Sequence, residues 1–161
     1  MSTFTIVFLT TLLIVSLTGL THVFLARFRR IRTPIIPAEQ LPFVSVIIPA
    51  RNEETKIARC LESLAQQDYP NYEIVIIDDR STDKTGEIIQ EIASRYAHVK
   101  FIRGNETPTG WIGKCNALVQ AYPHAQGKWL IFADADTCHE PHSLRYAVDY
   151  AIINKVDMVS F

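Results

Sequence analysis

Short apolar runs alternate with longer amphipathic segments from about residue 43 onwards. The short runs, at 44–48, 74–77, 99–102 and 129–133, have the length and residue types of buried strands. The segments between them place apolar residues three or four positions apart, as in helices with one buried face. This order predicts an α/β domain with a mainly parallel sheet and flanking helices.

Residues with positional preferences predict where several elements begin. Glu53 and Glu54 place negative charge at the start of the first helix, where the helix dipole favours it. Asp83 offers a cap for the second helix, and Pro141 suits the first turn of the last one. Because residues 156–161 have the pattern of a further strand, we expect this chain to end within an incomplete sheet.

The N-terminal segment has a different pattern. Residues 4–26 contain no charged side chain, and about 20 such residues cross a bilayer as a helix. Arginines follow within residues 27–32 and no basic residue precedes the span, so the positive-inside rule places the N-terminus outside. A cleaved signal peptide is the alternative, but it would have a basic start and a shorter apolar stretch. We predict a single-pass anchor over residues 1–26, a basic and Pro-rich linker over 27–42, and a cytoplasmic domain over 43–161.

Composition narrows the function classes. The chain has 161 residues, 48% of them apolar, which suffices for one core. Its net charge of −1 gives no basic surface for nucleic acid. Cys60, Cys115 and Cys138 are odd in number and widely spaced, which favours reduced thiols over a disulfide framework.

Polar side chains follow three of the predicted strands, at residues 51–53, 78–79 and 134–136. The carboxyl ends of parallel strands meet at one edge of a sheet, where ligands of such sheets bind. Crowded carboxylates there cost stability unless a cation or donor pairs with them. Oxygen ligands such as those of Asp134 and Asp136 suit Mg²⁺ or Mn²⁺, which bind a few carboxylates together with waters and substrate phosphates.

Residues 78–79 and the residues that follow 134–136 allow other interpretations. The pair at residues 78–79 is also typical of a receiver-type acidic pocket or of a turn that caps a helix. Cys138, His139 and His142 have the side chains of a zinc site. Since no fourth ligand has suitable spacing and Pro141 marks a helix start, we do not expect zinc there.

Three segments together resemble the N-terminal half of family 2 glycosyltransferases, in that family's order and spacing. They are residues 44–54 (VSVIIPARNEE), 76–83 (IIDDRSTD) and 133–136 (ADAD). The resemblance covers residues 43–161 and implies a nucleotide-sugar-binding GT-A fold. Residues 108–114 (PTGWIGK) resemble the subgroup that glycosylates lipid or polyisoprenoid-type acceptors, such as ceramide, hopanoids or carotenoids. The implied function is that of a membrane-anchored, inverting glycosyltransferase that uses a UDP-sugar.

The resemblance also implies the residues that bind the nucleoside. Pro49, Ala50 and Arg51 would line the pocket for the base and ribose. Glu53 would contact the ribose hydroxyls. Asp79 would accept a hydrogen bond from the ring N–H of uracil.

Three further residues would bind the diphosphate and the sugar. Lys114 would contact the diphosphate or the sugar, because a cation there offsets phosphate charge; an ordinary surface lysine is the alternative. Asp136 would hold Mg²⁺ or Mn²⁺ between the two phosphates. Asp134 would contact the sugar or the waters of the metal.

Inversion also needs a general base for the acceptor hydroxyl, which in the family comes from a later acidic motif. Neither that motif nor the family's Gln-x-x-Arg-Trp motif is present, so we expect the base beyond Phe161 and no transfer by this chain alone. A non-catalytic, membrane-tethered nucleotide-sugar-binding module is the alternative. A sugar nucleotidyltransferase would have a Gly-rich basic signature after the first strand, which residues 49–53 do not fit.

Overall fold

Four parallel strands form a single sheet in the computed structural model, which describes Val15, Thr18 and residues 36–160. The strands lie in the order β3-β2-β1-β4, and every neighbouring pair is parallel. The predicted α/β class and parallel sheet are therefore confirmed. The strands are β1 (Val44–Ala50), β2 (Tyr72–Asp78), β3 (Val99–Arg103) and β4 (Trp129–Phe132).

Helices cover both faces of this sheet. Alternate residues of a strand point to opposite faces, so Val46 and Ile48 of β1 join the larger core and Ile47 joins the smaller one. The larger core contains apolar residues of α1, α2 and α4, whereas α3 packs over the smaller one. The helices are α1 (Ile57–Ala65), α2 (Thr85–Arg95), α3 (Gly113–Ala121) and α4 (Ser143–Asn154).

The predicted membrane anchor lies outside the described residues, except for Val15 and Thr18, which are helical. Within the part of the chain that the structure describes, no helix has the length and apolar character needed to cross a membrane. The last residues before β1 pack against the sheet domain. Leu41 is buried in the larger core, and the Tyr69 hydroxyl donates to the carbonyl oxygen of Pro42 at 2.7 Å.

β1 continues two residues beyond the predicted run 44–48 and includes Pro49. Proline has no N–H and is normally excluded from central strands. The carbonyl of Ile47 accepts from the Ala133 N–H at 3.1 Å, on the β4 side. Because backbone groups alternate in direction along a strand, Pro49 faces that same side beyond Phe132, the last residue of β4. No sheet hydrogen bond is therefore lost.

Two other predicted element ends are shifted, and one predicted strand does not form. The carbonyl of Glu53 accepts from the Ile57 N–H at 2.9 Å, so a turn begins there and α1 starts only at Ile57. Pro141 precedes the first residue of α4 rather than lying in its first turn. The strand predicted from residue 156 is wrong for residues 156–160, where the Val156 N–H bonds to the carbonyl of Ala151 at the end of α4.

A buried polar cluster lies at the amino end of the sheet. Glu73 of β2 is 3% exposed, and its Oε1 accepts from the Ser45 hydroxyl and from the Gln126 N–H, both at 2.6 Å. Its Oε2 lies 2.5 Å from Lys100 Nζ. Burial raises the pKa of Glu73, but the hydrogen bonds from Lys100, Ser45 and Gln126 outweigh it, so that the pKa is lowered overall.

Glu73 is expected to make stability depend on pH. A carboxyl with a lowered pKa in the folded state contributes stability above its ordinary pKa of 4.5, and this contribution is lost as the pH falls. Chemical denaturation should therefore show that the wild type is more stable than Glu73→Gln at neutral pH. This difference in the free energy of unfolding should shrink as the pH is lowered. The exposed Glu91→Gln serves as the control and should follow the wild type throughout. A constant difference between Glu73→Gln and the wild type would contradict this assignment.

Candidate functional site

A cavity of about 340 Å³ lies at the carboxyl edge of the sheet. It is bordered by the residues that follow β1, β2 and β4 and by the first turns of α3. Every residue that the sequence predicts for nucleotide-sugar or metal binding lines it. The lining residues are Pro49, Ala50, Arg51, Glu53, Asp79, Gly113, Lys114, Ala117, Asp134, Ala135 and Asp136.

The strand order explains why the cavity forms at this place. From β1 the chain adds β2 and then β3 on one side, after which it returns to place β4 on the other side of β1. Because β1 and β4 are adjacent and parallel, the loops that follow them lie side by side at the carboxyl edge, where α3 from the other face of the sheet also borders the cavity. Arg51 and Glu53 follow β1, and Asp134 and Asp136 follow β4, so the cavity collects both sets.

Asp79 is the buried carboxylate of the cavity, with 4% of its surface exposed. Its backbone N–H donates to the carbonyl of Ala50 at 2.8 Å. Two guanidinium groups face its side chain: Arg80 Nε lies 3.2 Å from Oδ1, and Arg51 Nη1 lies 3.7 Å from Oδ2. These cations offset the cost of burying the charge.

Asp78 has a different role from its neighbour. Its Oδ1 accepts from the Ser81 N–H at 3.0 Å, within the turn that precedes α2. The interpretation of the acidic pair as a turn therefore holds for Asp78 and not for Asp79. Asp78 stabilises a turn, whereas Asp79 lines the cavity.

The loops after β1 and β2 are bonded to each other, which holds Arg51 and Glu53 at the cavity. Asn52, with a φ of 55°, accepts from the Thr82 N–H at 2.8 Å, and its own N–H donates to Ser81 Oγ at 2.9 Å. The Glu53 N–H donates to Thr85 Oγ1 at 2.8 Å. The two loops therefore form one rigid wall.

The opposite wall carries two exposed ion pairs. Lys114 Nζ lies 2.6 Å from Asp134 Oδ1, and Lys56 Nζ lies 3.5 Å from Asp136 Oδ2. All four side chains are about half exposed, so these pairs contribute little to stability. The carboxylates and the ammonium groups are therefore available to a ligand that offers better partners.

Two hydrogen bonds fix the backbone of the loop after β4, which forms part of this wall. The Cys60 thiol of α1 donates to the carbonyl of Asp134 at 3.5 Å, and the Thr137 hydroxyl donates to the same carbonyl at 2.7 Å. Burial raises the pKa of Cys60 to about 11, which keeps it a protonated donor at neutral pH. The loop is thus positioned independently of the exposed ion pairs.

Asp134 and Asp136 fit a metal ion that is shared with a phosphate ligand. Residues 36–160 contain no group of three or more His, Cys, Asp or Glu side chains able to hold a metal. Mg²⁺ needs about six oxygen ligands and commonly takes only one or two from carboxylates, the others being waters and substrate phosphates. Elsewhere, His139 Nε2 lies 2.9 Å from Thr137 Oγ1, and His142 Nδ1 lies 3.0 Å from Asp68 Oδ2.

The sequence reasoning missed three residues at this cavity. Lys56 faces Asp136, Arg80 contacts Asp79, and Gly113 lies so close that a Cβ atom there would be 3.2 Å from Asp79 Oδ2. Arg80 and Gly113 carried a signal, because each is next to a predicted site residue within a segment that resembles the family, 76–83 and 108–114 respectively. Lys56 reaches the cavity through tertiary packing that no periodicity indicates.

Comparison with known proteins agrees with this geometry. A family model described as glycosyl transferase family 2 matches residues 45–161, more than half of the chain. The chain belongs to glycosyltransferase family 2. It is 46% identical over 98 residues to a beta-monoglucosyldiacylglycerol synthase from Nostoc sp., covering 60% of this chain and 20% of that protein. It is 40% identical over 93 residues to a 4,4'-diaponeurosporenoate glycosyltransferase from Staphylococcus haemolyticus, covering 58% of this chain and 24% of that protein.

Two solved structures share the fold. Residues 1–349 of TarS from S. aureus, in complex with UDP-GlcNAc, superpose with a TM-score of 0.59 at 32% identity, covering 70% of this chain and 32% of that one. The mannosyltransferase PcManGT from Pyrobaculum calidifontis, in complex with GDP-Man and Mn²⁺, gives a TM-score of 0.62 at 27% identity, covering 82% and 39%. The predicted family is confirmed, and the chain spans only a minor part of each of these proteins.

Proposed function

We propose that this chain is the donor-binding part of an inverting glycosyltransferase that uses a UDP-sugar and a divalent metal ion. The observation that carries the proposal is the division of the cavity into two chemically different walls. One wall presents the buried carboxylate of Asp79, and the other presents Asp134, Asp136 and Lys114. Such a cavity suits a ligand with a heterocyclic base at one end and a diphosphate at the other.

The wall around Asp79 would bind the nucleoside. A buried carboxylate makes a strong acceptor for the ring N–H of uracil. Pro49, Ala50 and Arg51 would form the sides of the base and ribose pocket. Glu53, whose backbone is bonded to Thr85, would accept from the ribose hydroxyls.

The opposite wall would bind the diphosphate and the sugar. Asp136, with Asp134, would hold Mg²⁺ or Mn²⁺, which when bound would stabilise the departing nucleoside diphosphate as a Lewis acid. Lys114 pairs with Asp134 in the free protein and would exchange that exposed pair for a phosphate or sugar oxygen. Lys56, paired with Asp136, would add positive charge at the same place.

The acceptor is proposed to be a lipid or polyisoprenoid-type molecule. The names of the two relatives include diacylglycerol and diaponeurosporenoate, and both molecules carry long hydrocarbon chains. A membrane anchor over residues 1–26, with the sheet domain in the cytoplasm, would place the cavity near such an acceptor. Protease digestion of the full chain in sealed vesicles whose cytoplasmic face points outwards tests this arrangement. The protease should cleave the sheet domain, and a protected sheet domain would contradict the proposal.

Calorimetric titration of the purified chain tests the donor assignment. UDP and UDP-glucose should bind more tightly than GDP-mannose, and their binding should weaken when Mn²⁺ is replaced by EDTA. A preference for GDP-mannose, or binding that is indifferent to metal, would contradict the proposal. We expect no sugar transfer by the 161-residue chain itself, so transfer from UDP-glucose to a lipid acceptor would overturn that part.

A further inference from the structure

Arg80 adopts a backbone conformation that arginine rarely takes. Its φ is 57°, in the left-handed region where L side chains are disfavoured and glycine is the usual residue. A side chain kept at such a position is commonly held by specific contacts. The side chain of Arg80 contacts Asp79, which lines the cavity.

The guanidinium group of Arg80 joins two parts of the site. Its Nε donates to Asp79 Oδ1 at 3.2 Å, and its Nη2 donates to Thr107 Oγ1 at 2.9 Å. Thr107 lies in the loop between β3 and α3, where it also accepts from Asn116 Nδ2 of α3 at 3.4 Å. One planar side chain thus connects the buried carboxylate, this loop and the helix that carries Lys114.

This contact makes the two oxygens of Asp79 unequal. Oδ1 is occupied by Arg80, whereas Oδ2 faces Arg51 Nη1 at 3.7 Å and the backbone of Gly113. Gly113 lies beside Oδ2, and a Cβ atom at that position would crowd this oxygen at a distance of 3.2 Å. Oδ2 is therefore the oxygen presented to a ligand.

We propose that Arg80 is a positioning residue for recognition of the nucleotide base, acting through Asp79. By holding Oδ1 and tying it to Thr107, Arg80 directs Oδ2 at the ring N–H of a uracil-type base. This inference rests on the proposed binding of a UDP-sugar, and it assigns to Arg80 the selectivity for that N–H. Arg80 itself is not placed in contact with the base.

The test compares UDP with 3-methyl-UDP, in which the ring N–H is replaced, by calorimetry in Mn²⁺. One hydrogen bond to a carboxylate corresponds to a preference of about tenfold for UDP in the wild type. In Arg80→Gly, where the backbone conformation suits the new residue, the preference should fall to about threefold or less. Arg80→Lys keeps the charge but not the two-pronged contact, so it should also lose selectivity.

Matched variants separate positioning from general damage to the fold. Thr107→Val removes the hydroxyl that Arg80 binds and should lower the preference for UDP over 3-methyl-UDP. Thr107→Ser keeps the hydroxyl and should keep the preference of the wild type. Lys155 also has a positive φ, of 52°, at the end of α4, so Lys155→Gly tests the same backbone change away from the cavity. It should leave the preference unchanged.

The outcomes distinguish this proposal from the one on which it rests. A wild type that binds UDP and 3-methyl-UDP equally would overturn the role of Asp79, and with it that of Arg80. A preference that survives in Arg80→Gly would overturn the role of Arg80 alone. Equal loss of both ligands in Arg80→Gly would also overturn it, because it would show general damage to the site rather than loss of selectivity.

Discussion

Replacing Asp136 with asparagine is expected to remove most of the metal-dependent binding of UDP. The amide keeps the shape of the side chain but loses the negative charge that would attract Mg²⁺ or Mn²⁺. Loss of a metal-binding group should weaken UDP binding in Mn²⁺ by at least about tenfold, or roughly 1.4 kcal/mol. In EDTA, where no metal is bound, wild type and variant should bind UDP alike.

Because the side chain of Asp136 is half exposed, we expect its replacement to affect ligand binding rather than folding. Asp136 is 48% exposed and pairs with Lys56 at 3.5 Å, so breaking the pair should barely change the unfolding temperature. Glu62 provides the matched control, because it is 45% exposed and pairs with Arg95 at 3.1 Å but does not line the cavity. Glu62→Gln should bind UDP as the wild type does. If Asp136→Asn retained the full response to Mn²⁺, the proposed metal position would be wrong.

Replacing Gly127 with alanine is expected to be the most destabilising of these changes. A Cβ atom at Gly127 would lie 2.3 Å from the backbone nitrogen of Ser45 and 2.7 Å from its Oγ. Both atoms belong to β1, at the centre of the sheet, and cannot move away cheaply. The Gly127 N–H also donates to Ser45 Oγ at 2.7 Å, which connects it to the buried Glu73 cluster. We expect a loss of about 3 kcal/mol in the free energy of unfolding.

A second glycine separates crowding from backbone conformation. Gly110 has a φ of 87° and nothing within 4 Å of where its Cβ would be. Gly110→Ala should therefore cost only the left-handed conformation, about 1–2 kcal/mol. Urea denaturation followed by circular dichroism measures both variants. If Gly127→Ala proved no more destabilising than Gly110→Ala, the close contact with β1 would not matter.

Much of the site follows from the sequence because strand ends are easy to recognise. The apolar runs predict parallel strands, and polar residues directly after such strands must gather at one edge. Asp79, Asp134 and Asp136 were found in this way, and they line one cavity. Element ends were predicted less well: Pro49 extends β1 only because β4 has already ended on that side, which is a property of the neighbouring strand.

Some roles could be assigned only from the folded chain. Asp78 and Asp79 are adjacent and chemically identical, yet one bonds a turn and the other is buried beside two guanidinium groups. Strand alternation points them in different directions, and one of the two guanidinium groups beside Asp79, that of Arg51, comes from the loop after β1. Arg80 likewise reaches Thr107 across a gap of 27 positions in the sequence.

The sequence by itself determined the fold class, the family and the edge of the sheet at which a ligand would bind. These depend on the periodicity of apolar residues and on the order of strands and helices along the chain, which can be read directly from the sequence. Only the tertiary structure decided how Asp134-Ala135-Asp136 faces Asp79 across one cavity, which lysine pairs with each of the two exposed carboxylates, and which oxygen of Asp79 each guanidinium group faces. Those features depend on distances of a few ångströms between distant segments, and such distances are set by packing.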